Sequence, residues 1–234
     1  MSIVTELIST LDRMVNDQFA SPEFNRLLSL PLTLDRGRFY IVQSALYTSN
    51  RRDCWGYVQG SAPLPVKRMI WKHESDELVN DPRANTDHYT LTVRQGEHVG
   101  LTPEDFARAE LPPIARACFY AWCHIAVHSH WLTAYTSSHM LERRNNGEIV
   151  KGGGMSYRMG MKFEKELGIS LKKMASLDLH AVADTAHSDE MSEMFDGYVK
   201  TPEERDLVLK GARESMAIDR AYRGGLAYYM EQID

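Results

Sequence analysis

The sequence predicts an all-helical bundle of about seven helices, and three observations carry that expectation. Apolar residues recur at helical spacing along most of the chain, and no stretch alternates convincingly with a period of two. Two segments also read as clean helix starts: Thr102-Pro103-Glu104-Asp105 and Thr201-Pro202-Glu203-Glu204. Each joins a capping threonine to proline at the first helical position and to acids in the first turn.

Taken in order, Ile3 to Phe19 carries Ile3, Leu7, Ile8, Leu11, Met14 and Val15 on one face. Asp35 to Tyr57 repeats the pattern with Phe39, Ile41, Val42, Ala45, Leu46 and Tyr47. After Pro63 and Pro65, Val66 to Leu78 offers Met69, Ile70 and Trp71 to the core, and Asn80-Asp81-Pro82 ends it. Thr86 to Arg94 restarts a short helix. Pro113 to Arg144 is the longest pattern and is apolar on much of its circumference, as expected of a central buried helix. Asn145-Asn146-Gly147 and Gly152-Gly153-Gly154 interrupt the chain. Tyr157–Leu167, Leu171–Tyr198 and Thr201–Gln232 then complete the bundle.

Residues 1–234 contain no repeat, linker or charge block and read as one domain. Hydrophobic residues make up 43% and charged residues 25%, which excludes a disordered or low-complexity chain. A net charge of −5 leaves no polycationic footprint, so neither nucleic acid nor a membrane is an expected partner. No apolar run approaches the roughly 18 residues of a membrane span, and Met1–Glu6 lacks signal-peptide character. Cys54, Cys118 and Cys123 are sparse and lack metal spacing, which fits free thiols and a cytoplasmic setting.

The sharpest chemical signal is His180-Ala-Val-Ala-Asp184-Thr-Ala-His187. Positions i, i+4 and i+7 lie within about 60° of one another on a helix, so two imidazoles and a carboxylate face one way. That ligand mixture suits non-haem iron or manganese, and helix bundles complete such sites from facing helices. A solvated face is the alternative reading of the same residues. Further ligands must come from elsewhere. Glu74-Ser75-Asp76-Glu77 supplies acids, with Asp81 and His88 after it, although such runs usually form a solvated face. On a continuous helix Glu77 and His88 would stand about 16 Å apart, so the Asn80-Asp81-Pro82 break must fold His88 back. Glu142 stands near the end of the buried pattern, where a core-facing carboxylate needs a metal or a partner such as Arg143 or Arg144.

In these segments the chain resembles the haem-oxygenase-like diiron oxidase superfamily, relatives of the thiaminase TenA and the quinone-cofactor enzyme PqqC. Asp76–Pro82 with His88-Tyr89-Thr90-Leu91 resembles its acid–loop–histidine segment, Ser137–Glu142 the end of its second core helix, and His180, Asp184 and His187 its third. The resemblance implies six metal ligands, Glu77, His88, Glu142, His180, Asp184 and His187, holding two iron ions with O₂ as co-substrate. Leu78 and Val79 depart from the small residues expected there, which leaves Glu74, Asp76 and Asp81 as alternatives to Glu77. The insertion near 144–154 makes Glu148 an alternative to Glu142.

The resemblance further implies oxidation of a small molecule, an amino acid or an amine derived from one, by N-oxygenation, C–C cleavage, desaturation or nitrile formation. An external electron donor and a homodimer would be in keeping with it, as would a mixed manganese–iron pair. An iron-free enzyme of the TenA or PqqC type and a fatty-acid-cleaving diiron oxidase are the alternatives. For the substrate, Arg158 and Lys162 lie one turn apart and are candidates to hold a carboxylate, with Tyr135 as an aromatic wall. His124, His128 and His139 read as core residues or supports of the site, and Gly152–Gly154 as a gate or a plain loop.

Overall fold

The computed structural model describes residues 2–234, except for the side chains of residues 182–191. The described residues form helices and turns without a strand. The helices are α1 (Ile3–Phe19), α2 (Pro22–Ser29), α3 (Leu34–Ser61), α4 (Leu64–Leu78), α5 (His88–Gly96), α6 (Pro103–Ala107), α7 (Pro113–His128), α8 (Trp131–Arg143), α9 (Met155–Leu167), α10 (Ala175–Tyr198) and α11 (Pro202–Glu231). Short 3₁₀ turns follow α5 and precede α10. Both expected capping motifs form: Asp105 and Glu204 bond back to the backbone N–H of Thr102 and Thr201.

The expected central helix is two helices. Ser129 is extended (φ −93°, ψ 164°), and His130 caps the next helix by accepting from the Leu132 N–H at 3.3 Å. Apolar periodicity runs across this junction, so only the capping chemistry of serine and histidine marks the break. The two halves also differ in burial. Every residue from Leu132 to Arg143 in α8 is buried, whereas α7 exposes Ile114, Tyr120 and Val127. The all-round burial inferred for the whole stretch therefore belongs to α8 alone.

Two further departures concern α2 and Trp71. Ser21-Pro22-Glu23 starts a helix too short for its periodicity to stand out. On α4 the buried residues are Val66, Ile70, His73, Glu74 and Glu77, a single helical stripe. Trp71 falls off that stripe and is 69% exposed instead of joining the core.

α8 is the axle of the molecule. It packs most extensively against α11, and α3, α7 and α10 close around it. At Gly211 of α11 a Cβ would come within 2.2 Å of the Thr133 carbonyl oxygen, so the two backbones touch only because that position is glycine. Ser215 fixes the register, donating to the Ser137 carbonyl at 2.6 Å while accepting from the Trp122 indole at 3.2 Å.

Candidate metal centre

The first part of the site is built by the turn between α4 and α5. Asp81 and Thr86 pair as an isolated antiparallel bridge, and Asn85 takes the left-handed conformation with φ 52°. Asn85 tolerates that region better than most residues. Asp87 caps α5 by accepting from the Thr90 N–H at 2.8 Å. The chain thus reverses within a few residues and sets His88, the first residue of α5, beneath Glu77 of α4. His88 Nδ1 lies 2.9 Å from Glu77 Oε1, and His88 Nε2 lies 2.9 Å from Asp81 Oδ2.

α10 supplies the third group. His180 Nε2 sits 3.2 Å from His88 Nδ1, and His180 Nδ1 lies 2.7 Å from the Ser176 carbonyl oxygen one turn earlier. The outer contact of each ring places one proton. A carbonyl can only accept, so His180 carries its proton on Nδ1. The Asp81 carboxylate accepts likewise, so His88 carries its proton on Nε2. The inward nitrogens, His88 Nδ1 and His180 Nε2, face each other, and Glu77 Oε1 stands 2.9 Å from His88 Nδ1. A carboxylate and two imidazole nitrogens facing one point form a ligand set that suits a cation, and carboxylate–histidine support of this kind is what orients a metal-binding imidazole. Burial, then the proximity of His88, pushes the His180 pKa down to about 4, which keeps its imidazole neutral at physiological pH.

A second group shares Glu77. His73, Glu77 and Glu142 bring ligand atoms within 4.8 Å of one another, as do Glu77, His88 and His180. Glu77 thus belongs to both triads. Arg52 of α3 reaches into this group, 2.9 Å from both Glu74 Oε1 and Glu77 Oε2 and 3.9 Å from Glu142 Oε1. Burial works to raise the pKa of Glu77, but Arg52, His88 and His73 hold it well below the usual carboxylate range. Three buried carboxylates thus meet around Arg52, with His73 and His88 as the neighbouring imidazoles, a set of groups that suits a divalent cation. On both counts the residues present fit a pair of metal ions.

The rivals for Glu77 separate by position. Glu74 is bonded to Arg52 and His73, and Asp76 faces Arg83 from a half-buried position. Asp81 stands behind His88, gripped by both the Nε and Nη2 atoms of Arg83. Burial works to raise its pKa, yet hydrogen bonds from Arg83 and His88 hold it far below the usual range. Glu148 is exposed in the 144–154 segment, whereas Glu142 is buried and joins the cluster. Asp184 and His187 lie outside the described residues. His73 went unnoticed in the sequence, although His73-x-x-x-Glu77 has the same one-turn spacing as His180-x-x-x-Asp184.

The three residues expected to hold substrate lie elsewhere. Arg158 bonds to the Gly153 and Lys151 carbonyls and stacks over Phe19, and Lys162 pairs with Glu166. Both line a surface groove beside α9. Tyr135 is buried against Trp55, with its hydroxyl 3.3 Å from the Met69 sulfur. A separate cavity of about 80 Å³ opens directly onto the metal-ligand candidates. Glu77, Glu142 and His180 line it together with Thr92, Gln95 and Ser176, and Arg144 and Arg223 wall another part of it. His139 is fully buried between Tyr135 and Phe195, and burial holds its pKa well below the ordinary value, so it packs as an apolar ring.

An all-helical bundle with a buried carboxylate–histidine cluster beside a small internal cavity defines a class of helical metalloenzyme. A sequence profile of a family described as iron-containing redox enzymes matches residues 38–220, and the chain belongs to that family. Its fold is haem-oxygenase-like. A domain of unknown function with a haem oxygenase-like fold from Shewanella denitrificans superposes with a TM-score of 0.76 at 17% identity, covering 98% of this chain and 93% of that one. A CADD-like protein of unknown function from Nostoc punctiforme gives 0.75 at 13% identity, covering 97% of each chain. A TenA homologue from P. horikoshii gives 0.66 at 16% identity over 96% of this chain and all of its own. No curated protein matches the sequence. Among the described residues, no helix is long and apolar enough to cross a membrane.

Proposed function

We propose that the protein is an O₂-dependent non-haem diiron oxidoreductase acting on a small polar substrate, an amino acid or an amine derived from one. The observation that carries this reading is the pair of buried triads, Glu77–His88–His180 and His73–Glu77–Glu142, joined at Glu77. Glu142 and Glu77 are carboxylate ligands in this reading and His88 and His180 imidazole ligands, with Asp184 and His187 added from α10. Two iron ions bound there supply the electrons and open coordination positions that O₂ reduction requires.

The protein's own contribution is orientation, charge and exclusion of water. Asp81 holds the proton on His88 Nε2, and the Ser176 carbonyl holds the one on His180 Nδ1, so both inward nitrogens stay available as ligands. Arg52 helps keep the Glu77 carboxylate ionised by its fixed charge. Thr92 donates to the His88 carbonyl at 2.9 Å and lies 2.9 Å from the Ser176 hydroxyl, tying α5 to α10 at the cavity wall.

Two observations separate this reading from its alternatives. None of the three cysteines lines the cavity, and burial pushes the Cys54 and Cys118 thiols up to about 11, which argues against a thiol nucleophile. The cavity wall is rich in arginine, hydroxyl and amide groups, with Leu141, Met155 and Leu177 as its aliphatic members. A fatty-acid chain would bury its methylenes against that polar surface at a cost of about 0.8 kcal/mol for each one left without apolar contact.

Anaerobic titration of the metal-free protein with Fe(II), followed by O₂ uptake with a panel of amino acids and amines, tests the proposal. About two irons bound per chain and O₂ uptake accelerated by one substrate class are expected. If no iron binds, with or without the candidate substrates, the proposal fails.

A further inference from the structure

The cavity is chemically lopsided. Its metal-side wall is acidic, with Glu77 and Glu142 facing Arg52, whereas a second part of the wall is built from guanidinium groups. Arg51 of α3, Arg144 at the end of α8 and Arg223 of α11 all line it, and all three are almost completely buried. One aromatic cluster gathers them. Arg51 lies over Trp122, Arg144 and Arg223 lie over Tyr47, and the Tyr47 and Trp122 rings meet edge-on at 5.8 Å.

Their countercharge is incomplete. Asp219 takes an ion pair from Arg144 at 2.9 Å and one from Arg223 at 3.2 Å, and Gln18 bonds to the same carboxylate. Arg144 engages its remaining nitrogens with Tyr47 and Asn145. Arg51 bonds only to the Ser138 hydroxyl among the described residues, and its Nε and Nη1 have no acceptor. Arg223 commits Nε to Asp219, and its two terminal nitrogens meet no acceptor among the described residues. Two of the three guanidinium groups therefore share one carboxylate, and the third meets none among the described residues. A buried, uncompensated guanidinium is expensive, and an in-plane pair of N–H donors matches the two oxygens of a carboxylate.

We propose that Arg223, supported by Arg51 and Arg144, binds a carboxylate of the substrate, so that the substrate is a small organic acid whose reacting end faces the Glu77–His180 part of the cavity. The orientation rests on the diiron reading above; the anion site itself does not. An amino acid satisfies both requirements, whereas an amine that has lost its carboxylate does not. The structure thereby narrows the substrate class to compounds that retain the acid group.

The test is binding of propionate, propionamide and inorganic phosphate to the metal-free protein, read by isothermal calorimetry and by the fluorescence of Trp122, which touches Arg51. Propionate is expected to bind roughly tenfold or more tightly than its neutral amide, as expected for a hydrogen-bonded charge pair. Arg223→Gln should lose that preference and Arg223→Lys should retain part of it, with Arg51→Gln as a second variant should Arg223→Gln fold poorly. His88→Ala should lose about one of its two irons and all O₂ uptake and still bind propionate, so a failed metal site and a failed anion site give different results. Equal binding of propionate and propionamide, no propionate binding at tens of millimolar, or an unchanged preference in Arg223→Gln and Arg51→Gln would overturn the proposal. Tighter binding of phosphate than of propionate would overturn the assignment to a carboxylate.

Discussion

Two pairs of histidines in this molecule have ring centroids 4.7 Å apart, and they have little else in common. His124 and His128 sit one turn apart on α7, both exposed. His88 and His180 come from different helices and meet at the cavity, His88 fully buried, with Glu77 between them and a fixed acceptor behind each ring. The exposed pair has the spacing that a motif search favours, and the buried pair has no sequence spacing to speak of. Proximity alone therefore does not define a metal site. What distinguishes the second pair is that each imidazole has its outer nitrogen held by an acceptor, so both inner nitrogens converge on a buried carboxylate.

The largest effect that would sharpen this contrast is at Glu77, which both triads share. Glu77→Ala is expected to abolish iron binding and O₂ uptake while leaving the far-UV helical signal nearly intact. Iron content by elemental analysis checks it, and normal loading would break the comparison at its centre. Next come His88→Ala and His180→Ala, each of which removes one ligand from only one triad. Both variants should retain about one iron per chain and lose O₂ uptake. Two irons in either variant would place the ligands elsewhere.

How much of this was legible in the sequence follows from where the information is stored. The order and kind of the long helices were readable because each buries a periodic stripe, as α1 does with Leu7, Leu11 and Val15. The reversal that returns His88 to Glu77 was readable from Asn80-Asp81-Pro82, because proline and turn chemistry act locally. The division of α7 from α8 was hidden, since apolar residues continue through Ser129 and His130. His73 was hidden by its neighbours: in an acid-rich stretch, a histidine one turn before Glu77 reads as one more polar residue. Arg51, Arg52, Arg144 and Arg223 converge from three helices distant in sequence, and no local pattern announces a contact of that kind. Arg158 and Lys162 are the converse case. Their one-turn spacing is real, but the face they share borders a surface groove.

A smaller effect tests the acceptor behind the ring. Asp81→Asn keeps the size of the side chain but weakens its grip on the His88 proton, and a lost partner of this kind typically lowers metal affinity by about 10–100-fold. The same carboxylate gives a pH signature in the metal-free protein. Its pKa is lower in the folded chain than in the unfolded one, so its contribution to stability is complete above the ordinary carboxylate range. That contribution is lost as pH falls below the range. Chemical denaturation of the wild type between pH 6 and pH 3 should therefore lose more stability than Asp81→Asn loses over the same interval. Parallel curves would show that Arg83 and His88 do not hold the charge of Asp81 as the geometry requires.

The smallest effect is expected at the exposed pair and is the control on everything above. His124 and His128 have no carboxylate in contact among the described residues, and water reaches both rings. Replacing both with alanine removes two exposed imidazoles and leaves the buried stripe of α7, Phe119, Trp122 and Ala126, untouched. Stability should change by no more than about 0.5 kcal/mol for each substitution, with iron stoichiometry and O₂ uptake unaltered. Alanine favours the helix over histidine, so a slight stabilisation is the more natural sign. If the double variant instead lost iron, an i, i+4 histidine pair in water would be competing successfully with a buried, acceptor-backed one. The physical distinction between the two pairs would then be wrong, whatever the family of the chain.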